Sequence, residues 1–180
     1  MSEAKRQLVD LRNVVLEGSI LDIGGGGEGI IARRFGQRVA AIDRRKDELE
    51  EAPDQGLKII MDAADLKFLD ESFDNVTCFF SLMYMTNQDL AKILGEIKRV
   101  LKKSGNFWIW DTEIPLCDDI FLVHLDIALS GNETISTTYG TSRPAPQNLD
   151  SVSKLCEAIG FKTSRAAAVD NLFVLHLIKV

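Results

Sequence analysis

The chain has 180 residues, 46% of them hydrophobic, and a formal net charge of -6. That length fits one domain able to bury its own core, here taken as a single unit over 1–180. The acidic balance argues against a nucleic-acid partner, whose phosphates need a surplus of lysine and arginine.

The first expected element is a helix over 3–17, with Leu8, Leu11 and Val15 at helical spacing. SILDI (19–23) reads as a short apolar strand that runs into glycines, and GIIARRFG (29–36) as a helix ending at Gly36. RVAAID (38–43) is a second strand, RKDELEEA (45–52) a short charged helix, and LKIIMD (57–62) a third strand closed by Asp62. FDNVTCFFSL (73–82) is a fourth strand. Residues 87–105 carry one apolar stripe, Leu90, Ile93, Leu94, Ile97, Val100 and Leu101, which predicts a helix closed by Gly105. NFWIWD (106–111) is a fifth strand. Residues 120–140 read as a β-hairpin turning at SGNE, with a helix over Phe121–Leu129 as the competing reading. TSRPAPQN (141–148) is a loop and LDSVSKLCEAIG (149–160) a helix. Two antiparallel strands around Asp170-Asn171 finish the chain.

Strands and helices alternate, and the first four strands are apolar over most of their length. Such strands belong in a parallel sheet covered on both faces. The three cysteines, Cys78, Cys117 and Cys156, have neither a disulfide framework nor metal-ligand spacing, and no metal is expected. The start, MSEAKRQLVDLRN, has no apolar signal region, and no apolar run has the roughly 18 residues of a membrane helix. A reducing, cytoplasmic setting and no membrane partner are the expectation.

The most informative stretch is LDIGGGGEGII (21–31), between the first strand and the helix after it. An open α/β sheet holds nucleotide-like ligands at that position. Asp22, Asp43 and Asp62 lie at the ends of the first three strands, so all three acids are expected on one crevice. No lysine follows the glycines, which removes a P-loop. Gly24, Gly26 and Gly29 have dinucleotide-site spacing, with Asp43 as the acid for a ribose. An NAD-dependent oxidoreductase therefore stays open on the glycines alone. Against it, Glu28 would set a charge close to a pyrophosphate.

With these residues in place, the sequence resembles a class I S-adenosylmethionine-dependent methyltransferase over roughly residues 18–113 and 161–178. Asp22, Gly24 and Gly26 match the family's acid and alternate glycines; the next alternate position is Glu28 instead of glycine. The resemblance implies an α/β fold, a Rossmann-like three-layer sandwich. Its sheet has seven mostly parallel strands, with an antiparallel closing strand and the order 3-2-1-4-5-7-6. It implies S-adenosyl-L-methionine as cofactor, held by Asp22, Gly24, Gly25, Gly26, Asp43, Arg44, Asp62, Ala63, Phe80 and Ser81. Asp43 would take the ribose hydroxyls and Asp62 the adenine amine, with Ala63 as the adjacent backbone donor. FDNVTCFFSLMYM resembles the family segment around the fourth strand, with Asp74 at its start.

Methyl transfer from a sulfonium needs placement and exclusion of water more than acid–base machinery. Candidates for a base, where the acceptor has a proton to lose, are His124, Asp111 and Tyr84; His176 reads as structural. The resemblance implies an acceptor site at the segments after strands four and five, here Met83, Tyr84 and Met85, then Trp110, Asp111 and Glu113, with Tyr139 and Arg143 after the 120–140 segment. The span 104–142 has no lysine or arginine but holds Asp111, Glu113, Asp118, Asp119, Asp126 and Glu133, an acidic mouth suited to a neutral or cationic small-molecule acceptor. The DNA amino-methyltransferase signature is absent, SLMY standing in its place. Residues 114–148 are a variable insert that shapes the acceptor site or a dimer contact. The apolar 120–129 segment, if exposed, would seat a second copy and make a homodimer. A methyltransferase-like protein that binds without turnover is the remaining alternative.

Overall fold

A short buried run, ILDI, is the centre of the molecule. All four residues of the strand Ile20–Ile23 (β3) are buried, and it pairs in parallel on both sides. The computed structural model describes residues 2–116, 119–142 and 146–180; Cys117, Asp118 and Arg143, named above, lie outside the described residues. Around β3 the chain lays down Val39–Asp43 (β4), Leu57–Ile60 (β5), Phe73–Phe79 (β6) and Leu101–Thr112 (β7), then Phe161–Val169 (β10) and Leu172–Lys179 (β11). Their order is β5-β4-β3-β6-β7-β11-β10. Counted among these seven alone, that is 3-2-1-4-5-7-6. Only β11 runs against its neighbours, antiparallel to both β7 and β10.

Four further strands form a second sheet, and the two at the N-terminus are absent from the expected scheme. Ser2–Glu3 (β1) and Gln7–Asp10 (β2) pair in parallel with Phe121–Ala128 (β8), and Thr134–Thr141 (β9) pairs antiparallel on the other edge of β8. The helix expected over 3–17 is therefore replaced by two short strands. Burial in β2 alternates: Gln7 and Val9 point inward while Leu8 is 60% exposed. That period of two serves a sheet, and pairing with β8 overrides the helical spacing of Leu8, Leu11 and Val15. The hairpin over 120–140 forms, and the competing helix does not.

Two layers flank the large sheet. The helices Asn87–Val100 (α3) and Leu149–Ile159 (α4) cover one face, with Leu94, Ile97 and Cys156 against Val76, Phe107 and Leu175. The helices Ile30–Phe35 (α1) and Lys46–Glu51 (α2) share the other face with the small sheet. There Val123, Leu125 and Ile127 of β8 join Ile31, Phe35, Phe79 and Trp110. The sandwich thus has one mixed outer layer of helix and sheet. The apolar 120–129 face is already covered within the chain, so exposure no longer argues for a dimer there.

Local chemistry accounts for the helix ends. Thr86 caps α3 by accepting from the Asp89 amide, and Asn148 caps α4 through a reciprocal pair with Ser151. Gly160 closes α4 in the left-handed region, at φ 99°. Gly105 does not close α3, which ends at Val100. Leu101 is already paired with Phe73, and Ser104 (φ 58°) and Gly105 lie in a bulge of β7. Likewise β5 stops at Ile60, two residues before Asp62. Among the described residues no helix is long and apolar enough to cross a membrane.

Candidate active site

The carboxyl ends of β3, β4 and β6 open onto a cavity of about 830 Å³, walled on one side by β9. This is the crevice where parallel α/β sheets hold ligands. Asp22, Asp43 and Asp62 all line it, as do Gly24, Gly25, Gly26, Arg44, Ala63, Phe80 and Ser81. Every residue expected at the cofactor site is thus brought to one cavity.

The glycine loop is pinned by its surroundings. The amides of Gly24 and Gly25 donate to the Ile42 carbonyl at 2.9 and 3.1 Å. Gly24 has φ 73°, and a Cβ there would lie 2.7 Å from Cβ of Ser81. A Cβ on Gly25 would lie 2.6 Å from Oδ2 of Asp22 and 2.8 Å from Ala41. Here the missing side chains let the loop fold tightly onto its own acid and the next strand.

Asp22 is buried and accepts from the Thr77 hydroxyl at 2.6 Å. Burial pushes its carboxyl up to about 7; the Thr77 bond opposes the rise and the charge of Asp43 adds to it. Asp43 uses Oδ1 on the Arg45 amide at 2.9 Å. Its Oδ2 faces the glycine loop, 3.3 Å from where a Gly26 Cβ would be. Asp62 accepts from the Ala64 amide at 2.9 Å and stays exposed. Phe80 takes φ 49°, an uncommon conformation for a bulky residue. Its amide donates to the Trp110 carbonyl at 2.7 Å, which holds the β6 end in place. Ser81 follows, buried; its hydroxyl adjoins the Cys78 thiol and has no hydrogen bond of normal geometry.

The candidate bases separate. Tyr84 lines the cavity, and burial of its hydroxyl with the nearby Asp111 charge pushes it up to about 12, so it is a donor at neutral pH. Asp111 is buried outside the lining and accepts from the Met83 amide (3.2 Å), the Thr112 amide (2.8 Å) and the Gln147 side chain (3.0 Å). His124 sits on the outer face of the small sheet, with Nδ1 2.9 Å from the Thr138 hydroxyl and Nε2 3.4 Å from Glu3. His176 stacks on Trp108 at 4.0 Å, a structural place. Met83 and Trp110 are core, whereas Met85 and Tyr139 line the cavity.

The acidic mouth expected from 104–142 does not form. Among the described residues none of its acids lines the cavity. Asp126 is bonded to Arg6 and Ser136 on the outer face, and Glu133 faces Arg33 at 3.9 Å. The cavity is nevertheless acidic from other sources. Seven carboxylates line it, Asp22, Glu28, Asp43 and Asp62 among them, against Arg33, Arg44 and Arg45. By sequence, Glu28 sets a charge where a pyrophosphate would be repelled. It instead turns to β9, where Thr137 and Tyr139 (3.0 Å) donate to its carboxylate. Sequence reasoning missed Thr137; the available signal was its place two residues from Ile135 and Tyr139 on one strand face.

A Rossmann-like sheet with an acid-and-glycine loop at its switch point defines a nucleotide-type ligand site. Comparison with known proteins narrows it. Residues 21–109 match the family model described as a methyltransferase domain. Over 124 residues the chain is 32% identical to an uncharacterized methyltransferase, YcgJ, of Bacillus subtilis (strain 168), covering 61% of this chain and 47% of that protein. The chain thus spans about half the length of this relative. Among solved structures, a SAM dependent methyltransferase from Aquifex aeolicus superposes with TM-score 0.65 at 17% identity, over 91% of this chain and 82% of that one. The glycopeptide N-methyltransferase MtfA, complexed with S-adenosyl-L-homocysteine, gives TM-score 0.64 at 14% identity, over 91% and 84%. Residues 21–109 are thus similar in sequence to methyltransferase domains, and the fold over most of the chain is that of S-adenosylmethionine-dependent methyltransferases of known structure.

Proposed function

We propose that the cavity binds S-adenosylmethionine and that the protein passes its methyl group to a small-molecule acceptor. The observation that carries this reading is the convergence of Asp22, Asp43 and Asp62 with the glycine loop on one cavity rich in carboxylates. A sulfonium cation is favoured there and a pyrophosphate is not. Asp43, with one oxygen on its own turn, keeps the other for ribose hydroxyls. Asp62 and the Ala63 backbone suit an adenine edge. Asp22, Gly24, Gly25 and Gly26 would carry the methionine end, Arg44 the ribose flank, and Phe80 with the unpaired Ser81 hydroxyl the far side.

The insert over 114–148 supplies the acceptor wall through β9. Tyr84 and Tyr139 face that compartment, and none of the cavity's carboxylates is held as a ready base by a histidine. Alignment of acceptor and methyl with water excluded is then the main source of rate. Calorimetry with S-adenosylhomocysteine and with NAD+ tests the donor. Binding of the first alone is expected; tight NAD+ binding with no response to S-adenosylhomocysteine would overturn the reading. Labelled donor offered to separate metabolite, protein and RNA pools tests the acceptor, with transfer to the metabolite pool as the expected result.

A further inference from the structure

Glu28 stands where the resembling loops continue with glycine, and it is flanked by Gly27 (φ 60°) and Gly29 (φ 57°). Glycines on both sides give the backbone little preference of its own. What holds this part of the loop is side-chain chemistry directed at the hairpin. The Glu28 carboxylate accepts from the hydroxyls of Thr137 and Tyr139, and hydrogen bonds to an ionised acceptor are the strong kind. Burial and the Glu28 charge raise the Tyr139 phenol far above its usual value, so it remains a donor. A second link runs beside the first. Arg33 donates through Nε to the Glu28 carbonyl at 2.7 Å and reaches Glu133, at the hairpin turn, at 3.9 Å.

The same strand is fastened to the opposite rim. The Tyr139 ring stacks on Phe80 at 5.6 Å, and the Thr141 hydroxyl donates to the Met83 carbonyl at 2.9 Å. β9 therefore bridges the loop after β3 and the loop after β6, the two segments between which a donor would lie. We propose that Glu28 is a positioning residue that couples occupancy of the glycine loop to the placement of β9, so that bound donor sets the acceptor wall. This inference rests on the donor reading given above. By linkage the coupling acts in both directions: whatever loosens β9 weakens donor binding by the same factor.

The test compares the unaltered protein with the Thr137→Val/Tyr139→Phe double variant, which removes both hydroxyls and leaves the loop sequence intact. The probe is S-adenosylhomocysteine, read by calorimetry and by hydrogen exchange. In the unaltered protein the ligand should slow exchange in both 24–30 and 134–141. In the variant, protection of 24–30 should persist, protection of 134–141 should drop, and affinity should weaken by about tenfold. A merely structural role would loosen β9 in the free protein and leave the ligand-induced change in place. Equal ligand-induced protection of 134–141 in both proteins overturns the proposal, as does protection confined to 24–30 in the unaltered protein. Absence of any heat or protection in the unaltered protein instead defeats the donor reading itself. Should the double variant lose cooperative unfolding, Glu28→Gln keeps the side-chain shape and is read against the same outcomes.

Discussion

The two sides of the cavity are built on different principles. The floor comes from the ends of neighbouring β-strands and the turns after them, and two of its three acids are set by a local turn: Asp43 bonds the amide two residues on, and so does Asp62. The β9 wall comes from residues more than 100 positions away from the loop it meets, joined by Glu28 to Thr137 and Tyr139. A floor made of local turns survives the loss of one side chain, because the backbone still places its neighbours. A wall held by long-range side-chain bonds loses its place when those bonds go.

Four substitutions sharpen or break this contrast. Asp43→Ala should cost donor affinity most, about 10- to 100-fold, because two hydrogen bonds to a charged group go at once. Its thermal unfolding should stay close to that of the parent; unchanged affinity for S-adenosylhomocysteine in the folded variant would remove Asp43 from the site. Gly25→Ala should lower stability by about 1–3 kcal/mol in denaturant unfolding, since its Cβ has no room against Asp22 and Ala41. No loss would mean that the floor yields more easily than its packing implies.

Asp22→Asn addresses pH. The ordinary value for the group is 3.8 and the folded value about 7, so the folded protein keeps a proton that the unfolded chain releases. The stability from that difference is fully present below 3.8 and is lost as pH rises through about 7. The variant should show a flatter stability profile over that window, measured by denaturant titration at several pH values; an unchanged decline would place its cause elsewhere. The smallest effect is expected for His124→Ala, within about 0.5 kcal/mol and without change in donor binding, because the side chain lies on the outer face of the hairpin. A large loss of methyl transfer there would return His124 to the reaction.

Legibility followed the range of the interactions. The strand–loop–helix around LDIGGGG and the caps at Gly36 and Gly160 were readable because each is decided by a few neighbouring residues. The helix expected over 3–17 does not form, since local helical spacing at Leu8 and Leu11 is too weak a preference to compete with pairing to β8. Gly105 has the local signature of a helix cap, a glycine after an apolar stripe. Its actual place in a bulge depends on how β7 meets β6. The acidic span 104–142 failed for the same reason: charge counted along a chain says nothing about which sheet face each residue takes.

By itself, the sequence determined the parallel α/β plan, the glycine loop and the three aspartates near it, because hydrophobic period and strand-end position suffice for those. Only the tertiary structure decided the second sheet, the covered apolar face and the pairing of Glu28 with β9. Those depend on which distant strands meet and in what register, and a one-residue change of register would have turned Thr137 and Tyr139 away from Glu28.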